Sequence, residues 1–126
     1  MERSIGTSRG TFDLISQTTV MAKRHRTHLG LVLVRGRSMA PAFAGWRRIA
    51  LVEFGRAPRV GDVVVARRPD RPAQQVIKRI TDHDARGWWL ESDANEDRTV
   101  FSDSWVFGAV ADAAVLGVVR WPRVSR

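Results

Sequence analysis

The chain has 126 residues, a length typical of one domain with a single core, and its 44% hydrophobic residues and five tryptophans indicate a folded globule. It has no cysteine, which excludes disulfides, thiol nucleophiles and thiolate metal sites. No apolar run approaches the ~20 residues of a membrane helix, and residues 1–20 lack the apolar stretch of a secretory signal. We therefore expect a cytoplasmic protein without a transmembrane segment.

The net charge of +8 raises the question of nucleic-acid binding. All but two of the 21 basic residues are arginines, and they are spread along the whole chain. The one dense cluster is "KRHRTH" at residues 23–28. Such scatter is typical of a solvated surface, so nucleic acid is not the expected partner. A basic β-barrel that binds single strands through arginines and tryptophans remains the non-enzymatic alternative.

Residues 1–28 are polar and have no clear hydrophobic period. We interpret them as a loosely ordered basic arm, with a short helix predicted within residues 11–22. The pattern changes at residue 29, where a second unit, residues 29–126, is predicted to begin.

From that point the pattern is that of β-strands separated by turns. Six runs rich in Val, Ile, Leu and Trp have strand length: residues 30–36, 47–54, 62–68, 74–81, 87–92 and 114–121. Glycine, proline and aspartate stand between them. The fold class is therefore predicted to be mainly β, as a partly open barrel or coiled sheets.

Lys78 is one of only two lysines and lies within the strand "QQVIKRIT". Strand alternation places it on one face with Val76 and Ile80. Burial there disfavours the charged ammonium and lowers the pKa of the amine, and a lysine with a lowered pKa can serve as a general base. The alternative is an edge-strand lysine whose ammonium reaches solvent.

Ser38 follows the strand "GLVLVRG" in the sequence "GRSMAP". A lone serine at a strand exit is usually a turn residue. Its neighbours favour a role for Ser38 as a nucleophile. Gly36 allows close approach of a ligand, Met39 can anchor the loop and Pro41 fixes the backbone. Serine with a lysine base is a known nucleophilic arrangement.

The successive segments "GRSMAP", "RVGDVVVARRP", "QVIKRI" and "ESDANEDRTVFSDSWVFGAV" resemble the boxes of the type I signal-peptidase-like Ser/Lys proteases. The resemblance covers residues 30–121 and implies a core of antiparallel coiled sheets. It implies Ser38 as nucleophile and Lys78, 40 residues later, as general base. Within the family, "GDVVVARRPDRP" looks most like the nickel-type superoxide dismutase maturation proteases. The implied partner is then a protein substrate with an N-terminal propeptide, cut next to small side chains, and no cofactor is implied.

The last box departs from the family's pattern. Asp93, Asp103, Ser104 and Gly108 match it, but Ser92 replaces a glycine and Ala94 an asparagine. Phe101 replaces the serine that helps to orient the lysine in relatives. Ser102 is one residue out of place and Trp105 replaces an arginine, whereas Asp103 and Ser104 remain the expected support. Ser104 is thus one hydroxyl that can orient Lys78.

The donors expected in the oxyanion hole also differ from those of some relatives. Those relatives carry a second hydroxyl where this chain has Gly36. The resemblance therefore implies that the backbone N–H of Ser38, or water, stabilises the oxyanion.

Two further possibilities have weaker support in the sequence. The related self-cleaving repressor peptidases share a G-x-S-M serine and a strand lysine, but only about 28 residues precede the core here, too few for a helix-turn-helix module. His25 and His28 form an H-x-x-H pattern without a third ligand nearby, so no metal site is expected.

Overall fold

Antiparallel β-strands dominate the structure. A computed structural model of the protein describes residues 16–24, 27–36, 38–39, 43, 48–94 and 102–123. The strands are β1 (Ser16–Arg24), β2 (Thr27–Leu33), β3 (Ile49–Phe54), β4 (Val63–Arg67), β5 (Gln75–Asp84), β6 (Gly87–Glu91) and β7 (Val115–Trp121).

All seven strands belong to one sheet in the order β1-β2-β3-β7-β4-β5-β6. Every described pairing is antiparallel, and the last strand, β7, lies between β3 and β4. The two edge strands, β1 and β6, are not paired with each other. The prediction of a mainly β, antiparallel and open architecture is thereby confirmed.

The pleat of the sheet divides its apolar side chains between two core clusters. On β4, Val63 and Val65 face cluster 1, whereas Val64 and Ala66 face cluster 2. The buried members of cluster 1 are Val32, Val34, Met39, Phe43, Ala50, Val52, Phe54, Val63, Val65 and Ile77. Those of cluster 2 are Val64, Ala66, Ile80, Trp88, Leu90, Val110 and Val118.

Helical structure in the described residues is limited to short pieces. Helix α1 spans Ser104–Phe107, and a 3-10 turn spans Asp112–Ala114. The side chain of Asp103 caps α1 by accepting a hydrogen bond from the backbone N–H of Trp105 at 3.0 Å. Neither helix has the length or the hydropathy needed to span a bilayer, and the described ranges contain no other candidate.

The N-terminal part of the chain differs from expectation. The helix predicted within residues 11–22 is wrong where the structure describes it, because Ser16–Arg24 form β1 and pair with β2. Residues 11–15 lie outside the described ranges. The reason is tertiary: pairing with β2 supplies backbone hydrogen bonds that a polar segment without a clear period does not reveal in its sequence. The division between an arm at 1–28 and a domain at 29–126 stays a prediction.

Candidate active site

Ser38 lies on the loop that leaves β2. The chain turns at Gly36, whose φ of 92° is a left-handed conformation that glycine adopts without strain. Arg48 steadies this turn by donating from Nη1 to the Gly36 carbonyl oxygen at 3.3 Å. Met39 is buried in cluster 1 and anchors the loop as expected. Ser38 is therefore held by the packing of the residue that follows it.

The Ser38 hydroxyl is buried, and the residue is only 3% exposed. Among the residues that the structure describes, its Oγ has no hydrogen-bond partner. Buried polar groups are nearly always hydrogen-bonded, so an unpartnered hydroxyl requires an explanation, and a role in function is one of those known.

Lys78 lies in the middle of β5, opposite Val64 of β4. It is fully buried, at 0% exposure. Val76 and Ile80, two residues away on either side, are buried as well. An ammonium in such surroundings loses its hydration, which disfavours the charged form. The alternative of an edge lysine reaching solvent is excluded, because β5 lies between β4 and β6.

A serine from the end of β6 contacts this lysine. Lys78 Nζ lies 3.1 Å from Ser92 Oγ. The register explains the contact: Ile80 pairs with Leu90 and Arg79 with Glu91, so the next position along places Ser92 opposite Lys78. In the sequence, Ser92 stands where the family's pattern has glycine, so the pattern does not predict this contact.

Residues 92–94, the bridging segment, contact three different parts of the site. The first, Ser92, contacts Lys78. The second, Asp93, accepts from Arg79 Nε at 2.9 Å and Nη2 at 2.7 Å, in a bidentate pair whose side chains are only 7% and 9% exposed. The third, Ala94, donates its N–H to the Ser38 carbonyl oxygen at 2.9 Å. Lys78 and Ser38 are thus connected through three consecutive residues.

The acidic stretch of Glu91, Asp93, Glu96 and Asp97 suggests a solvated loop, but Asp93 is nearly buried. Residues 96 and 97 lie outside the described ranges. Strand alternation turns Asp93 to the same face as Arg79, and the guanidinium covers its carboxylate.

The two expected support residues lie beside the bridging segment. Asp103 is buried, and its Oδ2 accepts from the Ser92 N–H at 3.2 Å. Ser104 is also buried, and its Oγ accepts from the Leu90 N–H at 2.8 Å. Asp103 therefore supports the residue that contacts Lys78, whereas Ser104 fixes the backbone of β6.

The structure does not join Ser38 and Lys78 directly. The Ser38 hydroxyl makes no hydrogen bond, while Lys78 bonds to Ser92. The structure therefore shows a buried hydroxyl and a buried amine that are not hydrogen-bonded to each other, on residues that both contact the segment 92–94.

The two tryptophans of β6 lie on opposite faces of the strand. Trp88 is buried in cluster 2, and Trp89 lies on the other face against Trp105, with ring centroids 5.3 Å apart. His83 stacks on Trp88 at 3.7 Å, and His28 stacks on Phe54 at 5.2 Å. These two histidines are thus engaged in ring packing, and His25 lies outside the described residues.

Within the described ranges no group of three or more His, Asp or Glu residues is arranged to hold a metal ion. A shallow groove lies beside the exit of β2, lined by Leu33, Val34, Arg35 and Arg48. It combines apolar walls with two guanidinium groups, next to the turn that leads to Ser38.

Comparison with known protein families bears on the class of protein to which the chain belongs. The sequence matches the family described as Peptidase S24-like over residues 2–119. Comparisons with curated proteins and with solved structures found no match. A Ser/Lys peptidase-like family, which the sequence motifs predicted, is thereby confirmed at the family level. The chain belongs to the Peptidase S24-like family.

Proposed function

We propose that the protein is a serine endopeptidase with a Ser38/Lys78 dyad. The observation that carries the proposal is the connection between a buried, unpartnered Ser38 hydroxyl and a fully buried Lys78 through residues 92–94. Membership of the Peptidase S24-like family supports the same chemistry.

In the proposed reaction, Ser38 Oγ attacks the carbonyl carbon of the scissile peptide bond. Neutral Lys78 accepts the hydroxyl proton and delivers it to the leaving amine as the carbon–nitrogen bond breaks. Water, activated by the same amine, then hydrolyses the acyl-enzyme ester and regenerates Ser38. The Ser38 backbone N–H donates to the oxyanion, since Gly36 offers no side-chain donor.

The dyad needs substrate binding to bring its two groups together. Ser38 Oγ is not hydrogen-bonded to Lys78 Nζ in this structure. Catalytic hydrogen bonds are often long in an unliganded site, and we expect an extended peptide bound along the exit of β2 to bring the hydroxyl within reach of the amine. The groove lined by Leu33, Val34, Arg35 and Arg48 gives such a peptide a surface to follow.

The proposed substrate is a protein with an N-terminal propeptide, and the nickel superoxide dismutase precursor is the specific candidate. Its support is the resemblance of "GDVVVARRPDRP" and the neighbouring boxes to the maturation proteases. In the structure, the Gly61–Asp62 pair of this box is bonded to β5 beside Lys78: Gly61 N–H donates to the Ile80 carbonyl, and Ile80 N–H donates to the Asp62 carbonyl, both at 2.8 Å.

A self-cleaving, repressor-like activity is the second candidate. The match to the Peptidase S24-like family favours it, because self-cleaving repressors use the same kind of serine and lysine. In that case the scissile bond lies in the chain itself, or in a protein to which it is joined.

One experiment distinguishes the two candidates. The purified protein is incubated alone and with a nickel superoxide dismutase precursor, and intact masses and new N-termini are determined by mass spectrometry. Removal of the precursor's propeptide by the wild type, and not by Ser38→Ala, supports the maturation protease. Loss of mass from the chain itself supports self-cleavage. Propeptide removal that persists in Ser38→Ala contradicts the dyad.

A further inference from the structure

The hydroxyl of Ser92 contacts the proposed base. Its Oγ lies 3.1 Å from Lys78 Nζ, within hydrogen-bond distance. Lys78 is fully buried, so the amine depends on protein groups to fix its direction. Ser92, which faces the amine from the end of the neighbouring strand, is placed to orient it.

A hydroxyl suits this position better than a carboxylate. A serine hydroxyl accepts a hydrogen bond from an ammonium and donates one to a neutral amine, so it can hold lysine in both protonation states. A carboxylate would stabilise the ammonium and hinder its deprotonation. Asp93, the adjacent residue, points to the opposite face, and both of its carboxylate oxygens accept hydrogen bonds from Arg79.

Ser92 is itself held on both sides. Its N–H donates to Asp103 Oδ2 at 3.2 Å, which ties it to the cap of α1. The Arg79–Asp93 pair fixes the next residue against β5. The backbone of Ser92 is consequently restrained in the position from which its side chain reaches the amine.

We propose that Ser92 is the positioning residue for Lys78 and that it takes the place of the hydroxyl lost at Phe101. The proposal rests on the proposed function of Ser38 and Lys78 as a catalytic dyad. It assigns a role to a residue that stands where the family's pattern has glycine.

The first measurement is the pH profile of kcat/KM for Ser92→Ala and Ser92→Thr. General-base catalysis contributes about 10²- to 10⁴-fold, so misalignment of the base is expected to lower kcat by about 10- to 100-fold with little change in KM. Threonine keeps the hydroxyl and is expected to restore most of the rate. Ser102→Ala, which removes a different hydroxyl ten residues along the chain, is the matched control and is expected to cleave normally.

The second measurement does not depend on activity. Because the chain has only two lysines, Lys23→Arg leaves Lys78 as the single lysine signal in a spectrum of ¹³C-labelled lysine. Loss of the Ser92 hydroxyl removes an acceptor from the buried ammonium, so the Lys78 titration in Ser92→Ala is expected to move to lower pH. The acid limb of the pH–rate profile is expected to move with it.

The outcomes separate this proposal from the proposed function. A lower kcat together with a shifted Lys78 titration, both restored by threonine, supports positioning by Ser92. An unchanged titration overturns it, whether or not kcat falls, and so does a shift caused by Ser102→Ala alone. If the wild type cleaves no peptide, the proposed function fails, while the titration still reports whether Ser92 acts on Lys78.

Discussion

The backbone N–H of Ala94 donates to the carbonyl oxygen of Ser38 at 2.9 Å. This bond joins the loop after β2 to the segment after β6, although 56 positions separate the two residues in the chain. Since Ser92, two residues earlier, contacts Lys78, a displacement of this segment moves both proposed catalytic groups. The geometry of the site therefore depends on what holds residues 92–94.

The Arg79–Asp93 pair is expected to be one such restraint. Asp93→Asn removes a charge from a nearly buried, bidentate pair and leaves the Arg79 guanidinium without its counter-charge. Breaking a buried pair costs about 3–5 kcal/mol, so urea unfolding is expected to show a loss of that order. Peptide cleavage is expected to fall as well, because Ala94 loses its fixed position beside Ser38.

The matched control for this pair is Asp84→Asn. Asp84 pairs with Arg86 at 2.9 Å, but both side chains are exposed, at 43% and 73%. Exposed ion pairs add little to stability, so the control is expected to unfold almost as the wild type does. Equal effects of Asp93→Asn and Asp84→Asn would contradict the restraint.

Ser104→Ala is expected to lower the free energy of unfolding without changing the pH dependence of cleavage. The Ser104 hydroxyl accepts from the Leu90 N–H, and its removal leaves a buried backbone donor without a partner. Such a group costs about 1–3 kcal/mol, which chemical denaturation measures directly. The pH profile of cleavage is expected to keep its midpoint, because this hydroxyl does not contact Lys78. A displaced midpoint would show that Ser104, rather than Ser92, governs the base.

Glu53 is expected to make stability depend on pH at the junction of β3 and β7. Partial burial alone would raise the pKa of this carboxyl, but hydrogen bonds from Thr27 and Arg120 and the charge of Arg56 outweigh it and lower the pKa from 4.5. Arg120 Nη1 lies 2.7 Å and Arg56 Nη1 3.2 Å from Glu53 Oε1.

The sign follows from the lowered pKa. The carboxylate stabilises the fold above the pKa of the unfolded chain, and that contribution is lost as pH falls through the folded pKa. Glu53→Gln is therefore expected to lower the Tm near pH ~7 and to leave it almost unchanged well below pH ~4. Thermal unfolding of both proteins at the two pH values checks this, and a Tm difference that grows on acidification would refute it.

Much of the sheet was predictable because its strands carry strong local signals. The six predicted apolar runs correspond to β2–β7, and the turns between them contain the expected glycine, proline and aspartate residues. The edge strand β1 was not predicted, because most of its residues are polar and its strand form depends on pairing with β2.

The contact between Lys78 and Ser92 was not predictable, for a specific reason. Counting back from the hairpin, where Asp84 pairs with Gly87 and Asp82 with Trp89, puts Asp93 opposite Lys78. A β-bulge between Ile80 and Asp82 shifts the register by one residue. Because of this shift, the hydroxyl of Ser92 and not the carboxylate of Asp93 lies opposite Lys78. The local sequence does not predict the bulge.

The central claim is that Ser38 and Lys78 act as one catalytic unit. The direct test is kcat/KM for propeptide cleavage by Ser38→Ala, Lys78→Met and the double variant, with circular dichroism to confirm that each is folded. Methionine is chosen because it is unbranched and apolar and fits the buried lysine's space. Residues that act as a unit are strongly non-additive, so each single change is expected to abolish cleavage and the double variant to be no worse. Cleavage that survives in Ser38→Ala or Lys78→Met, or losses that multiply in the double variant, would contradict the account.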